Sequence, residues 1–187
     1  VNKDDEHAPQ IIKAANCELY TYSEESKEAD FVASDIRYVS QPDFVGTEFH
    51  ISGKYDMEVR LGIPGLFNVV NALAAVSVCS FLGLDQARIS HALENIRVNG
   101  RMEIVYTSER CTVLVDYAHN AVSMESLLST LRDYKPKRLV CVFGCGGNRS
   151  KDRRYSMGEI GGKMADLSII TADNSRYEKV EDIIADI

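Results

Sequence analysis

Three short stretches in the second half of this chain carry side chains that could do chemistry. Asp116-Tyr117-Ala118-His119 sets a carboxylate, a phenol and an imidazole side by side. That set suits acid–base work or a metal ion. It suits equally well a strand end, where Asp116 caps the next turn and His119 bonds locally. Gly144-Cys145-Gly146-Gly147-Asn148-Arg149 permits positive φ and close backbone approach to a ligand. It leads into a segment holding Lys151, Arg153 and Arg154, so a helix N-terminus and its basic neighbours would favour an anion there. It is not a dinucleotide fingerprint, because Arg149 stands where the third glycine of G-x-G-x-x-G falls, and no Gly-Lys-Ser/Thr follows to make a P-loop. A purely structural glycine-rich turn fits it as well. Asp173-Asn174-Ser175-Arg176 suits a zwitterionic amino acid, with Arg176 forking onto a carboxylate and Asp173 accepting from an ammonium; an ordinary capped loop is the alternative. Further upstream, Asn68 and Asn71 share one helical face at i, i+3, placed either to read an adenine edge or to cap the helix start.

The elements that must position these residues follow from periodicity. Asp4 to Ala15 has the apolar spacing of a helix, and Cys17 to Tyr22 reads as a short strand. Phe31 to Ile63 alternates and is punctuated by Gly46 and Gly53, which predicts antiparallel strands. Asn68 to Leu82 is a strongly apolar helix closed by Gly83, and Asp85 caps a second helix reaching about Ile96. A boundary falls near Asn99-Gly100. Beyond it, strands at Cys111–Asp116, Arg138–Phe143 and Leu167–Thr171 alternate with helices at Ala121–Leu131, Lys151–Met164 and Val180–Ile187. That order predicts parallel βαβ units, and ligands sit beyond the carboxyl ends of such strands. All three polar stretches lie just after predicted strands, so they are expected to converge on one edge.

Composition narrows the class. With 187 residues, 45% of them hydrophobic and 26% charged, the chain can bury a core in one or two domains. The net charge of −7 argues against a general nucleic-acid binder. The longest apolar stretch, Ala72 to Leu84, is too short and too mixed for a membrane span, and no basic-then-apolar leader opens the chain. Five irregularly spaced cysteines fit reduced thiols in a cytoplasmic protein, and Cys141 and Cys145 lack the partners that would complete a zinc site. No metal ligand is assigned, and a monomer is expected. The chain opens at Val1 without a methionine and stops inside a helical pattern, and is expected to be a piece of a longer protein.

Taken together, these stretches resemble the Mur ligase family. Gly65-Leu66-Phe67-Asn68-Val69-Val70-Asn71-Ala72-Leu73-Ala74-Ala75 resembles the central-domain helix of these enzymes, and Gly100-Arg101-Met102-Glu103 the motif at their domain junction. Asp116 to His119 and Val142 to Arg149 follow in the family's order and spacing, and Val1 to Asp5 is similar to a stretch ending a central-domain strand. The resemblance covers nearly the whole chain, and the run of motifs in order is far more specific than any one of them. Within the family, the Phe-Gly-Cys-Gly-Gly and Asp-Asn-x-Arg stretches resemble the tripeptide-synthetase branch, which adds the third residue of the peptidoglycan stem peptide. The alternatives are another acyl-phosphate ligase (folylpolyglutamate synthase or the D-alanyl-D-alanine-adding Mur ligase), against which the glycine stretch with Arg149 and Arg176 argues, and a non-catalytic nucleotide-binding domain.

The resemblance implies an α/β protein: residues 1–98 as the latter part of a central P-loop-type ATPase domain, and residues 99–187 as a Rossmann-like C-terminal domain with a mainly parallel sheet. It implies ATP and Mg²⁺, with UDP-N-acetylmuramoyl-L-alanyl-D-glutamate and an incoming amino acid as substrates. A glutamate carboxyl becomes an acyl phosphate that the amine attacks. Asn68, Asn71, Arg101, Asp116 and His119 would bind the nucleotide, and Arg149, Asp173, Asn174 and Arg176 the amino acid. Arg176 resembles the arginine of the meso-diaminopimelate-adding enzymes, where a second carboxylate needs a cation. The chain departs from the family pattern at Ser175, where proline is usual, and at Asn148 and Ser150, which replace aspartates. The phosphate-binding loop and UDP-sugar domain are expected upstream, so these residues alone are expected to show no turnover.

Overall fold

The computed structural model describes residues 1–41 and 43–187. The chain forms two compact units, Val1–Asp116 and Tyr117–Ile187.

In the first unit, β1 (Tyr22–Ser23), β2 (Phe31–Ser40), β3 (Val45–Gly53) and β4 (Met57–Leu61) form one sheet in that order. β1 runs parallel to β2, and the other two pairings are antiparallel, as the alternation predicts. α2 (Leu66–Phe81) and α3 (Gln86–Asn95) cover one face. The period-two positions Phe49 and Ile51 of β3, and Val59 and Leu61 of β4, meet Val69, Leu73 and Val76 of α2 in a closed core. α2 begins at Gly65, whose φ of 108° no other residue adopts readily. It ends where Gly83 takes φ 75°, in its expected role. Asp85 caps α3 by accepting from the Arg88 amide at 2.9 Å. The register of β2 shifts between Ser34 and Arg37, where Asp35 has φ 55°, the mark of a bulge.

Two expectations at the start of the chain are met only in part. α1 spans Ala8–Ala14, beginning later than the pattern suggested. The Asp4 carboxylate instead accepts from the Ser23 hydroxyl and from the Glu24 amide, and Asp5 accepts the His7 amide at 2.8 Å. Those acceptors tie the entering backbone into loops rather than a helical turn. The predicted strand from Cys17 shrinks to the two residues of β1, extended by a bridge from Tyr22 to Asn2.

β5 (Glu103–Thr107) is a strand not foreseen, and it changes the topology of its neighbour. β6 (Thr112–Val115) pairs antiparallel with β5 in a hairpin, instead of joining the two later strands in a parallel sheet. The apolar run is a strand, as its composition predicts, but its partner is the adjacent Glu103–Thr107, which a short turn brings back at little entropic cost.

The second unit is a βαβ unit with flanking helices. β7 (Val140–Phe143) and β8 (Leu167–Ile170) pair in parallel across α5 (Lys151–Met164), joined by α4 (Ala121–Asp133) and α6 (Val180–Asp186). Met124 and Leu128 of α4, Leu139, Cys145, Met157 and Ile183 form its buried core. Gly161 lets α5 lie close to its neighbours, since a Cβ there would stand 2.9 Å from the Phe143 ring and 3.1 Å from the Met124 methyl. Asn120 caps α4 in a reciprocal box: its side chain accepts from the Ser123 amide at 2.9 Å, and the Ser123 hydroxyl receives the Asn120 amide at 3.4 Å. Asn120→Ala is expected to lower stability by about 1 kcal/mol, read as a shift of the urea midpoint with unchanged slope. Among the described residues no helix is long and apolar enough to cross a membrane.

Candidate functional site

The carboxyl ends of β7 and β8 are neighbours, so the loops that follow them meet. The first loop is Gly144 to Arg149 and the second Asp173 to Arg176, each placed by its strand as expected for a parallel pair. Their contact is close enough to require glycine. A Cβ at Gly144 would lie 2.2 Å from the Thr171 carbonyl oxygen, and one at Gly147 would lie 1.9 Å from that of Ser175. These glycines therefore serve loop-to-loop packing.

Three hydrogen bonds stitch the loops together. The Gly147 amide donates to the Asn174 carbonyl at 2.8 Å. The Asn148 amide donates to the Glu178 carboxylate, and the Tyr177 amide donates to Asn148 Oδ1 at 3.2 Å. Asn148 and Arg176 both sit in the left-handed region, at φ 54° and 51°. Asparagine tolerates that region well; arginine adopts it only where surrounding contacts hold it.

Beneath the loops lies Arg154, only 1% exposed. Its guanidinium donates to both oxygens of Glu178 at 2.8 and 2.9 Å and to Asp186 at 2.8 Å. Asp186 also pairs with Lys151 at 2.9 Å. The Arg154 bond and the Asn148 amide hold the Glu178 carboxyl below its ordinary range, and Lys151 and Arg154 do the same for Asp186. Two of the three bases at the start of α5 are thus spent on internal carboxylates, which corrects the expectation that all three would favour a bound anion. Cys145 is buried against Met157, and burial pushes its thiol up, so it is a packing residue and no nucleophile.

Arg149, Asp173, Asn174 and Arg176, the four residues assigned to the amino acid, are all exposed on the two loops. Arg149 and Arg176 make no side-chain hydrogen bond or ion pair with the described residues. Two guanidinia, a carboxylate and a side-chain amide on stitched loops can engage a molecule carrying both carboxylate and ammonium groups.

The five residues assigned to the nucleotide are distributed over both units. In the first unit, Asn68 donates to the Pro64 carbonyl at 2.7 Å and accepts from Asn71 at 3.2 Å, so the pair braces the start of α2 and leaves Asn71 exposed. Asp116 accepts the Met102 amide at 2.8 Å, while Glu103 accepts the Gly100 amide at 2.6 Å. These bonds lock a turn in which Gly100 and Met102 have φ 67° and 45° and Arg101 is exposed between them. In the second unit, His119 Nδ1 lies 3.1 Å from the Tyr117 carbonyl, to which it must be the donor, leaving Nε2 turned to other partners. The local bonding anticipated for His119 is present, whereas Asp116, expected to cap the turn that follows it, reaches back to the Met102 amide 14 positions upstream.

Arg154, Glu178 and Asn148 were not picked out as organisers of the site. A signal existed for one of them: Arg154, Met157 and Gly161 recur at i, i+3, i+7, the inward stripe of α5. A charged residue on a buried stripe calls for a partner.

Residues 1–79 match the Mur ligase middle domain, and residues 100–187 match the Mur ligase, glutamate ligase domain. The chain is 40% identical over 189 residues to UDP-N-acetylmuramoyl-L-alanyl-D-glutamate–2,6-diaminopimelate ligase of Alkaliphilus oremlandii, covering 98% of this chain and 38% of that protein. It is 39% identical over 191 residues to the ligase of the same name from Clostridioides difficile, covering 100% of this chain and 39% of the relative. A solved structure of a UDP-N-acetylmuramoyl-L-alanyl-D-glutamate–2,6-diaminopimelate ligase superposes with a TM-score of 0.71 at 32% identity, over 99% of this chain and 38% of that one. The chain thus spans less than half the length of the relatives it matches.

Proposed function

Since the chain belongs to the Mur ligase family, we propose that it forms part of an ATP-dependent ligase adding meso-diaminopimelate to UDP-N-acetylmuramoyl-L-alanyl-D-glutamate in the cytoplasm, during peptidoglycan synthesis, as a monomer. In this reading residues 1–98 are the latter part of the central ATP-binding domain and residues 99–187 the amino-acid-binding domain. The observation that carries it is the pair of unpartnered guanidinia, Arg149 and Arg176, on two loops stitched by Asn148 and Glu178.

The chemistry follows from the substrates. The γ-phosphoryl group of ATP is transferred to the glutamate carboxylate, giving an acyl phosphate and ADP. The amine of diaminopimelate attacks the acyl carbon, and the tetrahedral intermediate expels inorganic phosphate as the amide forms. Arg176 pairs with the distal carboxylate, which would be costly to desolvate unmatched. Asp173 accepts from an ammonium, and Arg149 and Asn174 hold the remaining polar groups. Asn71, Arg101 and His119 offer an amide, a guanidinium and an imidazole to the nucleotide, while Asn68 and Asp116 hold Asn71 and the Arg101 turn in place. Mg²⁺ would offset charge on the phosphate oxygens. Among the described residues no cluster of three metal-binding side chains occurs, so no ligand to it is assigned from this chain.

The test uses the full-length enzyme in a phosphate-release assay with diaminopimelate or lysine as acceptor. Diaminopimelate is expected to be preferred, and Arg176→Ala is expected to raise its KM about tenfold, the worth of one charge-assisted pair. Preference for lysine, indifference to Arg176→Ala, or substrate-dependent turnover by these 187 residues alone would each overturn the reading.

A further inference from the structure

We infer that Glu178 is a positioning residue for the amino-acid subsite, fixing from one carboxylate the separation of Arg149 from Arg176. This inference rests on the function proposed above. The geometry is specific. One oxygen of Glu178 receives the Asn148 amide, next to Arg149, and both oxygens receive Arg154. Arg154 in turn belongs to α5, so the glycine loop, the helix and the Asp173–Arg176 loop are all referenced to a single group. Asn148 closes the circuit by accepting the Tyr177 amide, next to Arg176. Each arginine assigned to the substrate therefore has a chain neighbour held by this circuit.

Stability alone is a poor account of the arrangement. Burying a guanidinium is costly even when it is paired. Here the Nε–H of Arg154 is buried with no partner among the described residues, an added cost that an apolar residue on the same stripe would avoid. What the charged network supplies that an apolar one could not is direction: Nη2 of Arg154 holds both oxygens of Glu178 while Nη1 holds Asp186, and the Glu178 carboxylate so anchored receives the Asn148 amide.

The experiment compares Glu178→Ala, Glu178→Gln and Arg176→Ala in the full-length ligase, varying each substrate in turn. Glu178→Ala is expected to raise the KM for diaminopimelate about fivefold by loosening the loops, with the KM values for ATP and the nucleotide-linked dipeptide unchanged. Glu178→Gln keeps an acceptor for the Asn148 amide and is expected to recover most of the loss. A merely structural role would lower the melting temperature and kcat without singling out one substrate. If Glu178→Ala fails to fold, Asn148→Gly, which keeps the left-handed angle of φ 54° and removes the acceptor for the Tyr177 amide, is expected to show the same selective rise. An unchanged diaminopimelate KM in these variants, with Arg176→Ala still raising it, overturns the positioning role while leaving the subsite intact. An unchanged KM in Arg176→Ala removes the subsite itself, and the role of Glu178 with it.

Discussion

Gly147→Ala is expected to cut kcat/KM for the incoming amino acid about a hundredfold in the full-length ligase, because misplacement of a binding loop by about 1 Å has that effect. The added Cβ would stand 1.9 Å from the Ser175 carbonyl oxygen and 2.7 Å from its carbon, distances real Cβ atoms do not tolerate. Both obstacles are backbone, so no side-chain rotation relieves them, and the loop carrying Arg176 must recede. The cause is space rather than dihedral strain, since Gly147 is absent from the residues with positive φ. Gly162→Ala is the control: a Cβ there meets nothing within 4 Å, and alanine is the better helix former. Steady-state kinetics on both variants check the expectation; a wild-type diaminopimelate KM in Gly147→Ala would show that the loops can separate without consequence.

Arg154→Ala is expected to lower the melting temperature at neutral pH by about 5–10 °C, from the cost of breaking a buried ion pair and the size of the chain. The variant takes one partner each from Glu178 and Asp186, leaving them the Asn148 amide and Lys151, and opens a void under the glycine loop. Its pH dependence has a definite sign. The carboxyls of Glu178 and Asp186 are held below their ordinary values of 4.5 and 3.8. Their contribution is therefore complete above the unfolded values and is lost as the pH falls from about 4.5 through the lowered folded values. Wild type should lose stability steeply across that window, and Arg154→Ala more gently, because much of what protonation removes is already gone. Arg154→Lys should fall between, because a single ammonium cannot hold both carboxylates in the places that the two terminal nitrogens of Arg154 reach. Parallel slopes for wild type and Arg154→Ala below pH 4.5 would disprove the assignment.

Local signals made much of this fold legible. The bounds of α5, the Gly83 stop of α2 and the Asp85 cap of α3 are all written within a turn of where they act. β5 escaped because Glu103–Thr107 is a short run whose register with β6 slips between Ile104 and Tyr106, which blurs the alternation. The pairing of β6 escaped for a different reason: periodicity identifies a strand but not its neighbour. The same division holds at the site. The residues on the loops could be singled out because they follow strands. Arg154 reaches partners 24 and 32 positions away, and that closure is tertiary. Its charge was accordingly read as available to a ligand when it is consumed inside the protein.

Arg176 holds an unfavourable backbone angle, while Asn148 takes a left-handed one that its residue type accepts. The torsional cost of the Arg176 angle is met by the contacts that stitch the two loops to each other. Capture of a diacid then needs to immobilise little more than two arginine side chains, so affinity should come from a rigid frame already matched to its guest rather than from a flap that shuts over it.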